Sequence, residues 1–264
     1  MNRAIVIRAS LIAGFIIASP ALRAQPVLDL PAAQDLLRRG DTLAAIRQLR
    51  AAEARHPDHA PTLLLLSYAY YLAGQKQLFA ATAARAAKLD PANPDAPYSL
   101  GRYYLDDLQR ADLAAAEFRR ALARNPAHPP SLYHLGWCLE LDKQAAAAAP
   151  LYRQAAAANY WLAHLGLARL SLDQGELDRA LDHVNAALRL HSDSPQPHLL
   201  LARIHQRRGR HSLAIPPLQK AVALDPTDAA ALYQLARAAR AAGLPHLERE
   251  TLLQYEQVRK IYAP

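Results

Sequence analysis

One cysteine, Cys138, stands in 264 residues, so no intramolecular disulfide can form and stability must come from packing. β-Branched residues are few, while Ala is abundant and Gly and Pro recur at regular places, a balance that favours helix. Catalytic signatures are missing as well. There is no G-x-S-x-G, no H-E-x-x-H and no phosphate-cradling glycine-rich loop, so an enzyme has no residue support and no cofactor is expected. The formal charge of +8 is a moderate excess that does not by itself argue for nucleic acid.

The first 28 residues contain no acid. Arg3 and Arg8 precede an uncharged, mostly apolar run from Ala9 to Leu22, and small residues follow. This is the layout of a secretory signal peptide covering residues 1–24, with cleavage expected after Ala21 or Ala24. An uncleaved anchor is the competing reading. The run of 14 residues is short for a bilayer span, and Pro20 would break its helix. The expectation is therefore a periplasmic or secreted protein that meets a membrane only through its export signal or a partner. Removing residues 1–24 removes three arginines and no acid, leaving +5.

What is present from Gln25 onward is a period of 34 residues. In Pro195 to Asp228, Leu201-Ala202 leads to Gly209, then Ala214, Leu218 and Ala221 recur at helical spacing before Leu224-Asp225-Pro226. One period forward stand Leu235-Ala236 and Gly243; one period back stand Leu167-Ala168, Gly175, Ala180, Val184 and Ala187. Seven units result, near 26–59, 60–93, 94–128, 129–160, 161–194, 195–228 and 229–262. The turn glycines Gly40, Gly74, Gly175, Gly209 and Gly243 set the register. In the third and fourth units Leu108 and Lys143 take the place of the glycine. His56-Pro57, Asp90-Pro91, Asn125-Pro126 and Asp225-Pro226 close second helices, because Pro cannot continue a helix and pushes the preceding residue to an extended conformation. Pro150 and Pro216-Pro217 are expected in first turns, where a missing N–H bonds nothing anyway. Asp29 can cap a first helix, and a final helix from about Leu247 to Tyr262 carries a polar outer face.

These residues resemble the tetratricopeptide repeat family. The fourth unit carries Leu132, Leu135-Gly136, Leu139, Ala148, Tyr152 and Ala155; the third carries Leu100-Gly101, Tyr104, Ala114, Phe118, Ala121 and Pro126. One such match would be weak, but seven in a row at nearly constant period are not. The resemblance implies an all-α, right-handed superhelical solenoid of about seven helix-turn-helix repeats, residues 25–264. The small residue after each Leu lets paired helices approach closely.

In this family the residues just after the small residue of each first helix resemble an inner, ligand-facing wall. Here they are Gln34, Tyr68, Arg102, Trp137, Arg169, Arg203 and Arg237. A second series, four residues earlier, is Leu30, Leu64, Tyr98, Tyr133, Leu165, Leu199 and Tyr233, and Arg207 and Arg240 add charge at the edge. The candidate ligand-binding residues are Tyr68, Tyr98, Arg102, Tyr133, Trp137, Arg169, Arg203, Arg207, Tyr233 and Arg237. No metal site is expected. His164 and His198 hold equivalent places in successive units, and His205 follows on the same face, but no Cys or carboxylate is patterned to complete a site. Cys138 lies one turn after His134 and reads as a small, partly buried thiol rather than a nucleophile.

The function these features imply is a non-catalytic, exported scaffold. It would hold a protein or peptide partner, acidic or with a free C-terminal carboxylate, in a concave groove within an envelope or secretion assembly. The alternative is a carbohydrate-binding or polymer-guiding subunit of envelope polysaccharide export, with Tyr98, Tyr133 and Trp137 stacking on sugar rings.

Overall fold

The computed structural model describes residues 30–262. The signal segment, its cleavage positions and the Asp29 cap lie outside the described residues. Within them the chain is all α-helix, and it divides into two compact units at Gln144/Ala145.

The first unit holds α1 (Leu30–Arg38), α2 (Thr42–Arg55), α3 (Ala60–Leu72), α4 (Lys76–Leu89), α5 (Asp95–Asp106), α6 (Ala111–Arg124) and α7 (Pro129–Leu141). Consecutive helices pack on one another, which buries Leu30, Leu37, Ile46, Leu49, Leu65, Leu66 and Phe79 in one core. The second unit holds α8 (Ala145–Ala157), α9 (Trp161–Asp173), α10 (Leu177–Leu190), α11 (Pro195–Arg207), α12 (His211–Leu224), α13 (Ala229–Ala241) and α14 (Pro245–Tyr262). Its seam runs through Ala180, Val184 and Ala187, all fully buried, and on through Ala202, Ala214, Leu218 and Leu235. This is the expected helix-turn-helix architecture. No described helix is long and apolar enough to cross a membrane.

Two turn devices repeat. At the end of a pair, the carbonyl before Pro accepts the N–H three residues on: His59 N–H to His56 O, Asn93 to Asp90, His128 to Asn125 and Asp228 to Asp225, at 3.1–3.2 Å. Pro sits at the second position of each such turn, where its φ is already right. Asp228 then caps α13, its Oδ1 accepting from Ala230 N at 2.8 Å and Ala231 N at 3.1 Å.

Within a pair, the chain passes through the left-handed region. Five of these residues are the turn glycines, at φ between 69° and 83°. The closing bond spans five residues, as in Gln75 N–H to Tyr70 O at 2.9 Å and Arg210 N–H to His205 O at 2.9 Å. The fourth pair has Lys143 there at φ 60°, as the spacing predicts. The third does not have Leu108. Gln109 takes the position, at φ 51°, because the extra residue of this unit is absorbed in the turn: Arg110 N–H reaches six residues back, to Tyr104 O at 2.9 Å.

The internal prolines also differ from expectation. Pro150 is the sixth residue of α8, and Pro216 and Pro217 the sixth and seventh of α12, one turn deeper than a first-turn position. Each therefore removes a bond the helix would have made. The buried apolar face of α12, with Ile215, Leu218 and Ala221, holds the helix together across the gap.

Candidate functional site

The first wall series is surface in both units: Gln34, Tyr68, Arg102, Trp137 and Arg169 are half-buried, and Arg203 and Arg237 are exposed. The second series is mostly not a wall. Leu30, Leu64, Tyr98, Tyr133 and Leu165 are 2–4 % exposed. A helical side chain leans toward its own N-terminus, and at this position that direction leads into the seam with the neighbouring helix. Tyr233 alone of the series is open, at 47 %, with its ring 5.6 Å from that of Tyr255 on α14.

The burial of Tyr98 and Tyr133 corrects their expected role as stacking platforms. Tyr98 packs against Phe118, with ring centroids 5.9 Å apart, and edge-on to His128 and His134 at 5.5 Å each. Burial pushes its phenol pKa up, so its hydroxyl stays neutral. Tyr133 stands edge-on to His134 at 4.8 Å and tilted to Trp137 at 6.0 Å. Tyr68 keeps a partly open ring stacked with Tyr71 at 6.4 Å.

Arg102 is tied down within the first unit. Its Nε and Nη2 donate to Asp106 Oδ2 at 3.0 and 2.7 Å, and its Nη1 donates to the Tyr98 hydroxyl at 3.3 Å. Tyr71 donates its hydroxyl to the same carboxylate oxygen at 3.1 Å. The carboxylate that a ligand would bring to Arg102 is thus already supplied by Asp106, one helical turn away. The pair was not anticipated from the sequence, and the i, i+4 spacing of Arg102 and Asp106 is the signal that could have found it.

In the second unit Arg169 donates Nη2 to the Tyr152 hydroxyl at 3.3 Å. Arg203, Arg207 and Arg237 are different: none has an acidic partner among the described residues. They line one open groove of about 350 Å³ between α11 and α13, with Gln206, Gln234 and His211. Ala238 and Ala241 also line it, and their side chains are small. No acid lines the groove, so three guanidinium groups and two amides face an open volume. Arg237 also lies 6.0 Å from the Tyr233 ring centroid. Arg240, expected at the groove edge, donates instead to Glu248 at 2.6 Å. The amides Gln206 and Gln234 and the imidazole of His211 were not singled out by spacing, since the groove they line depends on how α11 and α13 pack.

Cys138 is 2 % exposed and burial pushes its thiol up to about 12, so it is an inert core thiol. His134 is buried, its Nδ1 2.8 Å from Pro130 O, and burial holds it well below the usual imidazole range, with Arg102 adding to the effect. His198 Nε2 lies 3.0 Å from Ser192 O. His164 does not meet His198. It meets His183, across the helix pair.

Sequence profiles described as tetratricopeptide repeat match residues 30–97, 98–160, 140–204 and 195–238. The chain belongs to the tetratricopeptide repeat family. No curated protein matches it. Among solved structures it is similar to a chain of the APC/C hetero-tetramer Cut9–Hcn1, at 18% identity and TM-score 0.72, covering 89% of this chain but only 46% of that one. It is also similar to PilF of Pseudomonas aeruginosa, at 20% identity and TM-score 0.65 over 77% of this chain and 91% of that one. A thermophilic tetratricopeptide repeat protein of Thermus thermophilus is 26% identical at TM-score 0.55, covering 69% of this chain and 98% of the other.

Proposed function

We propose that this protein is a non-catalytic scaffold that holds an acidic peptide segment, or a free C-terminal carboxylate, of a protein partner in the groove between α11 and α13. One observation carries the reading: Arg203, Arg207 and Arg237 face a shared groove with no acid of their own to pair with. Guanidinium groups present donors in a fixed fork that suits carboxylates, and the Gln amides can bond backbone groups of an extended chain. The groove is open, so each ion pair is worth about 1 kcal/mol rather than several. Recognition is therefore salt-sensitive and summed over several contacts.

The test is capture from an envelope extract by the wild-type chain and by Arg203→Glu/Arg237→Glu, with helicity checked by circular dichroism. Loss of two pairs at about 1 kcal/mol each lowers affinity by at least tenfold, and the reversed charges lower it further. The same partners captured in the same yield would refute the groove. A glycan recovered as ligand, held at high salt, would favour the polysaccharide reading. The proposal includes export, carried by the charge and hydropathy pattern of residues 1–24. Intact-mass measurement on protein from the native host checks it. The expected chain begins after Ala21 or Ala24, and a chain retaining Met1 to Leu11 would replace export by anchoring.

A further inference from the structure

The fifth helix pair carries a cluster separate from the arginine groove. His164, the fourth residue of α9, and His183, the seventh of α10, face each other with ring centroids 5.8 Å apart and planes at 40°. Their Nδ1 atoms are 3.5 Å apart, and both side chains are half-buried. We propose that His164 and His183 form an open two-imidazole site for a divalent transition-metal ion, Zn²⁺ or Cu²⁺.

The separation lies close to the spacing of two ligands on one ion. A hydrogen bond from N–H spans about 2.7–3.2 Å, so the observed distance is long for one. A Zn–N bond of about 2.0–2.1 Å and a tetrahedral angle put two ligating nitrogens roughly 3.3–3.4 Å apart. One ion bridging both Nδ1 atoms therefore requires the nitrogens to close by only about 0.1–0.2 Å, with both ring lone pairs turned toward it. The backbone that sets this spacing is rigid: Ala163 on α9 and Ala180, Val184 and Ala187 on α10 are fully buried.

The protonation state fits. Burial pushes both imidazoles below their usual range, and His183 and Arg189 add to the shift at His164. At His183, Asp182 opposes the shift and Arg179 adds to it. Both rings are neutral near pH 7, so each has one nitrogen lone pair to offer a metal, and ligation through Nδ1 would place the ring protons on Nε2. The two arginines weaken binding of a cation, and Asp182 partly offsets them.

Two imidazoles do not close a site. Among the described residues no third His, Cys, Asp or Glu converges on it. Structural zinc sites fill four positions from protein, so this ion is no folding staple. It is exchangeable, with the open positions taken by water or by a side chain of a bound partner. Cu²⁺ binds such nitrogen ligands more tightly than Zn²⁺.

Calorimetric titration of the full chain with Zn²⁺ and with Cu²⁺ at neutral pH tests the site. One ion per chain is expected. His164→Gln and His183→Gln should each weaken uptake by at least about tenfold. His198→Gln, whose ring is engaged with Ser192 O, should leave uptake unchanged. A second readout needs no variant: imidazole ¹H–¹⁵N spectra of the wild type on adding Zn²⁺ should show two rings changing, each with its proton on Nε2. Absence of saturable uptake, uptake unchanged in His164→Gln and in His183→Gln, or shifts confined to other histidines would each overturn the proposal.

Discussion

Gly101 decides how closely α5 and α6 approach, and adding one methyl group there tests the packing directly. A Cβ built on Gly101 would lie 2.6 Å from Phe118 Cε1, 2.8 Å from Cδ1 and 3.0 Å from Cζ. Ordinary contact begins at 3.4 Å, so the ring must retreat by about 0.8 Å. Neighbouring rings oppose that retreat. Phe118 is fully buried, with the Tyr98 ring 5.9 Å away and the His134 ring 5.4 Å away. Overpacking of this kind costs about 1–3 kcal/mol. Against it, Ala is better than Gly in a helix by about 1 kcal/mol. The net effect of Gly101→Ala is a loss of up to about 2 kcal/mol, where an unobstructed site would gain about 1. The assay is urea denaturation followed by circular dichroism, compared by midpoint because repeat arrays need not unfold in two states. The same substitution in a Phe118→Leu background should become favourable, since the obstructing ring is gone. A clear gain in stability from Gly101→Ala in the wild-type background would refute the close approach of α5 and α6.

Gln109 and Lys143 hold left-handed backbone that favours glycine, at φ 51° and 60°. Gln109→Gly and Lys143→Gly should each raise stability by about 1 kcal/mol in urea denaturation, and a loss at either would mean the turn is held differently. His134 gives a pH dependence with a definite sign. Its folded pKa lies below the unfolded value of 6.5, so the folded chain resists a proton that the unfolded chain accepts. Its effect is nil above that pH, and stability falls as the pH drops below it, by up to about 1.4 kcal/mol per unit until the depressed folded pKa is reached. Denaturation midpoints between about pH 6.5 and 5 should fall less steeply in His134→Leu than in the wild type, and equal slopes would show that His134 is not the group responsible.

The sequence by itself determined the repeating helix pair and its punctuation. The 34-residue period, the left-handed glycines and the Pro after each second helix act within a few residues of one another, so their effect does not wait on tertiary packing. Arg102 and Asp106, at i and i+4, are neighbours by helical spacing alone, yet Arg102 was expected to face a ligand and its pairing with Asp106 emerged only in the structure. The tertiary structure decided everything that crosses from helix to helix. Tyr98 and Tyr133 shared a helical face with Arg102 and Trp137, yet one turn of helix separates a seam position from an open one, and only the neighbouring helix says which is which. Leu108 was displaced by Gln109 because an extra residue can be absorbed anywhere in a turn, and backbone hydrogen bonding chose the place. The sharing of one groove by Arg203, Arg207 and Arg237, and the meeting of His164 with His183 rather than His198, depend on how helices pack. Sequence spacing along a single helix carries no information about that packing.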